Sequence, residues 1–533
     1  MPASKTAKAP KGRTIPSRGI ALGNPPRMDV SPEPERSGDR PPTGGLTGVT
    51  EGNQRAAHLP SGWRWVTLRE IAEISGGVTK GQKRKPHDVV RSVPYLRVAN
   101  VQRGYIDLTE VKEIEVTERE IQAHTLLPGD ILFNEGGDRD KLGRGWVWNG
   151  EIKECIHQNH VFRARLRNSD DSPKFVSYYG NSGGKQYFFD QGKHTTNLAS
   201  INLTKLGGLP IPFPPPEVQH RIVAEIEKHF TRLDAGVAAL RRAQANLKRY
   251  RAAVLKAACE GRLVPTEAEL HKSRSCVLPL SSNKRRQDAD STFETGHQLL
   301  LRILTERRQN WQGRGKYKVP DEPDTSILNA LPEGWTWATV EQLSSRVQYG
   351  SSAKTKEDPN GVPVLRMGNI KDGKFDFEKL KYLPREHNEF PELLLTKGDL
   401  LFNRTNSADL VGKTAVYNEA LTRCSFASYL IRVQIIGGCA PDFVSFFINS
   451  VFGRAWINQV VSQQVGQANV NGTKLQALAV PLPPLAEQSR IVAEVERRFS
   501  IVDEMEFLVS ANLQRATSLR RAICNSAFNK SKL

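Results

Sequence analysis

The stretch RIVAEIEKHF, Arg221 to Phe230, returns as RIVAEVERRF, Arg490 to Phe499, with seven of ten letters unchanged 269 residues later. Other blocks return in the same order. LPSGWRWVTLREIA (59–72) reappears as LPEGWTWATVEQLS (331–344), and VPYLRVANVQRGYIDL (93–108) as VPVLRMGNIKDGKFDF (362–377). LLPGDILFN (126–134) reappears as LLTKGDLLFN (394–403), and LPIPFPPPEVQHRIV (209–223) as LAVPLPPLAEQSRIV (478–492). The offset is 272 at the first block and 269 at every later one. Ordered blocks at a nearly constant offset mark a tandem duplication with divergent filling. The chain is therefore constrained to fold as two similar units.

Within each unit the short runs WRWVTL, VPYLRV, DILFN and HVFRARL alternate or cluster apolar residues between Gly and Pro, which reads as strands. PKFVSYYGNS and its counterpart PDFVSFFINS read as a short helix. Each unit opens as a mixed α/β globule and then ends in a long helix. Pro214, Pro215 and Pro216 precede Glu217, placing proline and a carboxylate in the first helical turn, where both are favoured. Ile226, Leu233, Leu240, Leu247 and Val254 follow at seven-residue steps, with Ala243, Tyr250 and Ala257 at the companion spacing; Gly261 supplies a stop. Shifted by 269, the ladder reads Val495, Val502, Val509, Ala516 and Ile523. A seven-residue apolar seam needs a partner helix, and forty-odd residues would span roughly 65 Å. The two copies can bury their seams against each other.

The predicted organisation is thus a basic disordered tail over 1–58, a first globule over 59–215, a first long helix over 216–262, a linker over 263–330, a second globule over 331–484 and a second long helix over 485–529. The linker holds HQLLLRILTERRQNW (297–311), an amphipathic helix that either bridges the copies, docks on its own domain or meets a partner.

Composition narrows the partner. The 76 Lys and Arg exceed the 57 Asp and Glu, giving a formal net charge of +19 that favours a polyanion such as nucleic acid. No run approaches the length of a membrane span. The six cysteines (155, 259, 276, 424, 439 and 524) form no C-x-x-C pair, which fits a reducing cytoplasm rather than a zinc ribbon.

Catalytic patterns are weak. LVGKT (410–414) has Ser407 where a phosphate-binding loop needs glycine. Asp130 with Glu151 and Lys153 imitates a metal-dependent nuclease spacing, but the second copy has Ala420 and Thr422 at the latter two places, so Asp130 and Asp399 read as turn residues. His157 and His160 lack a paired Cys or acid and read as surface or nucleic-acid-facing. Trp63, Trp65, Trp335 and Trp337 alternate as in a strand and read as core packing rather than base-stacking platforms. NPPR (24–27) lies in the tail after no strand and carries no methyltransferase reading.

The duplicated GWxW, P-x-L-R, GD-x-LFN and PxPP-x-x-x-Q-x-R-IV blocks, each set followed by a long helix, resemble the specificity (S) subunit of Type I restriction–modification systems, over about 470 residues from 59 onward. The resemblance implies two target recognition domains joined by two antiparallel coiled-coil helices, each domain reading one half of a split, asymmetric site in double-stranded DNA. It implies a non-catalytic cytoplasmic chain holding two methyltransferase (M) subunits, with restriction (R) subunits added. It also implies that S-adenosylmethionine, ATP and Mg belong to those partners and that no cofactor or metal binds this chain. The tail departs from the family's pattern, and the duplicated body implies a full-length rather than half-length or fused form. The alternatives are a self-sufficient DNA nuclease or methyltransferase-like enzyme and a non-DNA coiled-coil scaffold.

On this reading the shared blocks are scaffold and the divergent filling reads bases. In the first copy NEGGDRDKLGRG (134–145) offers Asn134, Arg139, Lys141 and Arg144 on a glycine-rich loop, where Arg suits guanine and Asn suits adenine. HQNH (157–160) adds Gln158 and Asn159, and HTTN (194–197) adds Asn197. The second copy offers Asn403, Arg404, Asn406 and Lys413, then Gln467, Asn469 and Asn471. Lys80, Lys83 and Arg84, and Lys354 and Lys356, are expected phosphate contacts.

Overall fold

The computed structural model describes residues 59–81, 88–137, 141–194, 199–277, 293–311, 315–407, 410–464 and 467–528. The tail over 1–58 lies outside them. The duplication seen in sequence is a duplication in space. In the first domain Arg64–Thr67 pairs antiparallel with Pro210–Phe213, tying the start of the domain to its end. Thr336–Thr339 does the same with Ala479–Leu482 in the second. A four-stranded antiparallel sheet follows, in the order Ala72–Ser75, Val161–Leu166, Ile131–Asn134, Gly145–Val147. Its counterpart runs Ser344–Tyr349, Leu430–Ile435, Leu400–Asn403, Thr414–Val416. The registers agree across the 269 offset: Val161 opposes Asn134, and Leu430 opposes Asn403.

The continuous apolar run in the LFN strand has a physical reason. Successive side chains of a strand face opposite ways, and here both faces are covered. Ile131 and Phe133 enter the core shared with the helices, whereas Leu132 enters a second core with Leu96, Trp148 and Val161. Leu400 and Phe402 against Leu401 repeat the division. The helices Pro173–Asn181 and Pro441–Asn449 cover one face in each domain.

The first spacer helix runs Pro216–Cys259 and the second Leu485–Ala527. Their partners run in opposite directions: Arg251 meets Asp503, while Asp234 meets Arg520. The helices are therefore antiparallel. Ile226, Val254, Val495, Val502 and Val509 of the expected seam are buried. Leu233, Leu240, Leu247, Ala516 and Ile523 are half-buried, and Tyr250 turns outward. In the first helix full burial concentrates at the two ends, because it leaves one domain and lands on the other; in the second, Val502 and Val509 stay buried near the middle. Ile222, Ile226 and Phe230 begin in the first domain's core, where Ile523, Ala527 and Phe528 arrive. Val254, Leu255 and Ala258 arrive among Trp335, Phe443, Ile491 and Val495 of the second.

The glutamine in each repeated PxPP-x-x-x-Q block anchors this junction. Gln219 Oε1 accepts from Ser172 N (2.9 Å), and Gln488 Oε1 accepts from Ala440 N (2.7 Å), so both hold the start of the short covering helix. The linker helix Gly296–Gln309 docks on the second domain through Leu299, Leu300 and Ile303, and is capped by a reciprocal Thr295–Gln298 box. A further linker helix, Glu267–Val277, escaped the sequence reading. Its Glu267 backbone N–H donates to the buried Glu487 carboxylate (3.0 Å), which also accepts from Trp335 Nε1 (2.9 Å).

Candidate nucleic-acid interface

In each domain the strand ending in Asn134 or Asn403 runs directly into a small three-stranded ribbon. The first ribbon joins Lys193–His194, Ala199–Ser200 and Gly136–Gly137; the second joins Ser462–Gln464, Gln467–Asn469 and Thr405–Asn406. Registers again match: Ala199 opposes Gly137 as Ala468 opposes Asn406. The structure therefore brings together strands more than fifty residues apart in sequence, Gly136–Gly137 with Ala199–Ser200 and Thr405–Asn406 with Gln467–Asn469. These are divergent segments, carried on a shared scaffold.

The turn after each ribbon strand is pinned by glycine. Gly143 has φ +65°, and a Cβ there would stand 2.2 Å from Phe188; Gly412 has φ +84°, with Ile457 at 2.1 Å. Backbone in this region with no room for a side chain admits only glycine.

Of the residues expected to read bases, Asn134 and Asn403 instead brace the base of the ribbon, and others have one side-chain group engaged with backbone. Asn134 and Asn403 are fully buried. Asn134 Nδ2 donates to the carbonyls of Val98 (3.3 Å) and Val101 (2.9 Å), and Asn403 Nδ2 donates to Met367 (3.5 Å) and Leu410 (3.3 Å). A buried amide spent on backbone carbonyls is a brace, since unpaired it would cost the desolvation of its polar atoms. Arg144 Nη2 also donates to the Val98 carbonyl (3.2 Å). Asn471 caps the helix Gly472–Gln476 by accepting from Lys474 N (2.8 Å), as Asn202 does for Lys205 N (2.9 Å). The corrections at Asn134 and Asn403 share one cause: the sequence cannot distinguish an Asn that turns inward to backbone from an Asn that faces out.

Other expected contacts stay at the surface. Lys80, Lys354 and Lys356 are exposed, and Lys356 pairs through its backbone with Tyr382 in both directions (2.9 Å). Lys141, Gln158, Asn159, Asn406 and Asn469 are half-buried around the ribbons. Lys413 lines a cleft of about 1200 Å³ between the second domain and the spacer, with Arg454, Lys374 and Glu496. Arg404 lies with its guanidinium carbon 4.8 Å from the Tyr349 ring centre. Lys83, Arg84, Arg139 and Asn197, and the Gln467 side chain, lie outside the described residues.

The residues with catalytic-looking spacing are otherwise engaged. Asp130 closes its turn by accepting from Leu127 N (2.7 Å) and takes a two-pronged bond from Arg165 (2.7 Å to each oxygen). Asp399 accepts from Thr396 N (2.9 Å), Arg432 (3.3 Å) and Gln434 (3.0 Å). His157, expected near the surface, is fully buried. Its Nδ1 lies 2.6 Å from the Val161 carbonyl, and burial, with Arg163 and His124 nearby, pushes its pKa down to about 4. Trp335 is buried, while Trp63 and Trp337 pack on the domain cores and Trp65 is partly exposed. Burial pushes the thiols of Cys155, Cys259, Cys424 and Cys439 up to about 12, far from the reactive range. Among the described residues no group of three or more His, Cys, Asp or Glu could hold a metal, and no helix is long and apolar enough to cross a membrane.

Glu135, Tyr349 and Tyr429 lie beside the ribbons and were not singled out from sequence. Placing the two copies over one another at the 269 offset would have singled out Glu135, because Arg404 stands opposite it.

Known proteins share this arrangement. The chain is 23% identical to the Type I restriction enzyme EcoKI specificity subunit of Escherichia coli (strain K12), covering 89% of this chain and 90% of that one. It is likewise 23% identical to the Type I restriction enzyme StySPI specificity subunit of Salmonella potsdam, over 88% and 89% of the two chains. A chain from a solved structure describing complex assembly and conformational transition of the type I R-M system superposes with a TM-score of 0.55 at 18% identity, covering 90% of this chain and 100% of that chain. The sequence model of one family matches both halves, at residues 60–238 and 332–502, and the chain accordingly belongs to the Type I restriction modification DNA specificity domain family.

Proposed function

We propose that this chain is the DNA-reading, non-catalytic subunit of a type I restriction–modification complex, each domain reading one half of a split duplex site through its ribbon. The observation that carries this is the doubled ribbon: divergent loops on two matching scaffolds, separated by an antiparallel helix pair. Two readers related by a pseudo-twofold suit half-sites about one helical turn, ~34 Å, apart. A helical spacer holds that separation, where a flexible linker would blur it. The excess of Lys and Arg supplies the sequence-independent attraction to phosphate.

Methyl transfer to adenine, with S-adenosylmethionine, belongs on this reading to two M subunits held by this chain; ATP- and Mg-dependent cleavage belongs to R subunits. The test is a graft. Residues 134–145 and 193–200 are replaced together by those of a relative, the chain is co-expressed with its M partner, and methylated adenines are mapped genome-wide. One half of the methylated motif should change while the other half and the gap persist. A motif unaltered by the graft, in a complex that still methylates, would contradict the reading.

A further inference from the structure

Position 135 of the first domain and position 404 of the second are the same place in the fold. Glu135 N donates to the His160 carbonyl (3.0 Å), and its own carbonyl accepts from Ile201 N (2.8 Å). Arg404 N donates to the Tyr429 carbonyl (3.0 Å), and its carbonyl accepts from Val470 N (2.9 Å). All three residue pairs obey the 269 offset. Each residue is the last before the ribbon strand, Gly136–Gly137 or Thr405–Asn406. The two side chains are chemical opposites at one location of the interface.

Arg404 offers only donors, held in a planar fork. Its guanidinium stacks on Tyr349, and Nη1 makes one long bond of 3.5 Å to the Ser428 carbonyl. Tyr349 is itself fixed, because its Oη accepts from Gly472 N (2.8 Å), and the residue remains 43% exposed. A stacked guanidinium has lost much of its rotamer freedom before any ligand arrives. In the first domain the same location holds a carboxylate, an acceptor. Glu135 Oε2 lies 2.5 Å from His160 Nδ1, with the two side chains 29% and 55% exposed. In the major groove a guanidinium fork matches O6 and N7 of guanine, whereas a carboxylate matches an exocyclic amino group.

We infer that positions 135 and 404 are a shared specificity position of opposite sign: Arg404 takes a guanine in the half-site of the second domain, and Glu135 takes a base presenting an amino group, cytosine N4 or adenine N6, in the half-site of the first. This rests on the proposed DNA reading, and its test separates the two.

The chain and its M partner are co-expressed in a host without other adenine methylation, and methylated positions are mapped for the wild type and for Arg404→Ala, Arg404→Lys and Glu135→Gln. A wild type that directs no split motif overturns the underlying reading, and this assignment with it. Given a split motif, Arg404→Ala should lower the preference for guanine at one position of one half by about tenfold to a hundredfold, leaving the other half and the gap unchanged. Glu135→Gln should alter one position of the opposite half. Arg404→Lys keeps the positive charge but loses the planar fork, so guanine preference should fall with overall methylation retained. If Arg404→Ala gives no methylation, the lysine variant decides. An unchanged motif in the lysine variant, or a loss spread evenly over both halves as expected of a phosphate contact, overturns the assignment.

Discussion

His157 shows what duplication followed by divergence does to a single buried site. The equivalent residue in the second domain is Phe426, also fully buried. An imidazole in that space stays neutral down to about pH 4, against an ordinary value of 6.5. The folded form therefore refuses a proton that the unfolded chain accepts. Its contribution to stability is complete above about pH 6.5 and is lost as the pH falls toward 4, an effect of roughly 3 kcal/mol at its limit. The first domain should loosen before the second on acidification, seen as earlier hydrogen exchange in Val161–Leu166 than in Leu430–Ile435. His157→Phe, which copies the second domain, should abolish the difference; an unchanged order of exchange would show that other groups set it. The buried carboxylate of the GD turn makes a second prediction. Asp399 and Arg432 are each 3% exposed. Asp399→Ala strands the guanidinium and should cost about 3–5 kcal/mol by denaturant titration. At this scale the sequence was informative about type and silent about direction. The GD turn was readable because both copies keep it, whereas Asn134 and Asn403 gave no sign that their amides turn inward.

At the level of elements, the two spacer helices are locked by a reciprocal contact that the repeat arithmetic alone does not reveal. Arg251 lies over the Phe499 ring (4.9 Å) and pairs with Asp503 and Glu506; Arg520 lies over the Phe230 ring (4.2 Å) and pairs with Asp234 (2.5 Å). Arg, Phe and Asp are each 269 residues from their counterparts, so one contact is made twice about the pseudo-twofold. Its two halves differ in setting. The Arg251 side chain is 15% exposed and has two carboxylate partners, whereas Arg520 is 48% exposed with one. Arg251→Ala should therefore cost about 2 kcal/mol and Arg520→Ala no more than about 1 kcal/mol, both read from urea unfolding of the whole chain. Equal costs would mean that burial does not set the strength of this lock. The heptad ladder was legible because a seam period survives in sequence without any knowledge of the partner. The outward turn of Tyr250 was not, since it depends on what the facing helix presents. Glu267–Val277 was illegible for a related reason: few apolar residues mark it, and it is held by polar bonds to Glu487 and Arg490.

For the whole molecule, on the proposed function the helix pair is a ruler. The two domains share no direct chain connection shorter than a spacer helix, and each helix is anchored at both ends in apolar cores. The pairing of the two helices was readable from the repeat, because each copy ends in an apolar seam that needs a partner; their antiparallel sense came from the family resemblance. The joining of distant loops into each ribbon was not readable, because strands of two or three residues leave no periodic signal. The measurement that bears most directly on the ruler is the methylated motif of a lengthened chain. Seven residues are inserted at the facing midpoints of both helices, which preserves the seam and adds about 10.5 Å. With its M partner the lengthened chain should methylate a site whose two halves are those of the wild type and whose gap is about three base pairs longer, at 3.4 Å per base pair. The same halves at an unchanged gap would contradict the account.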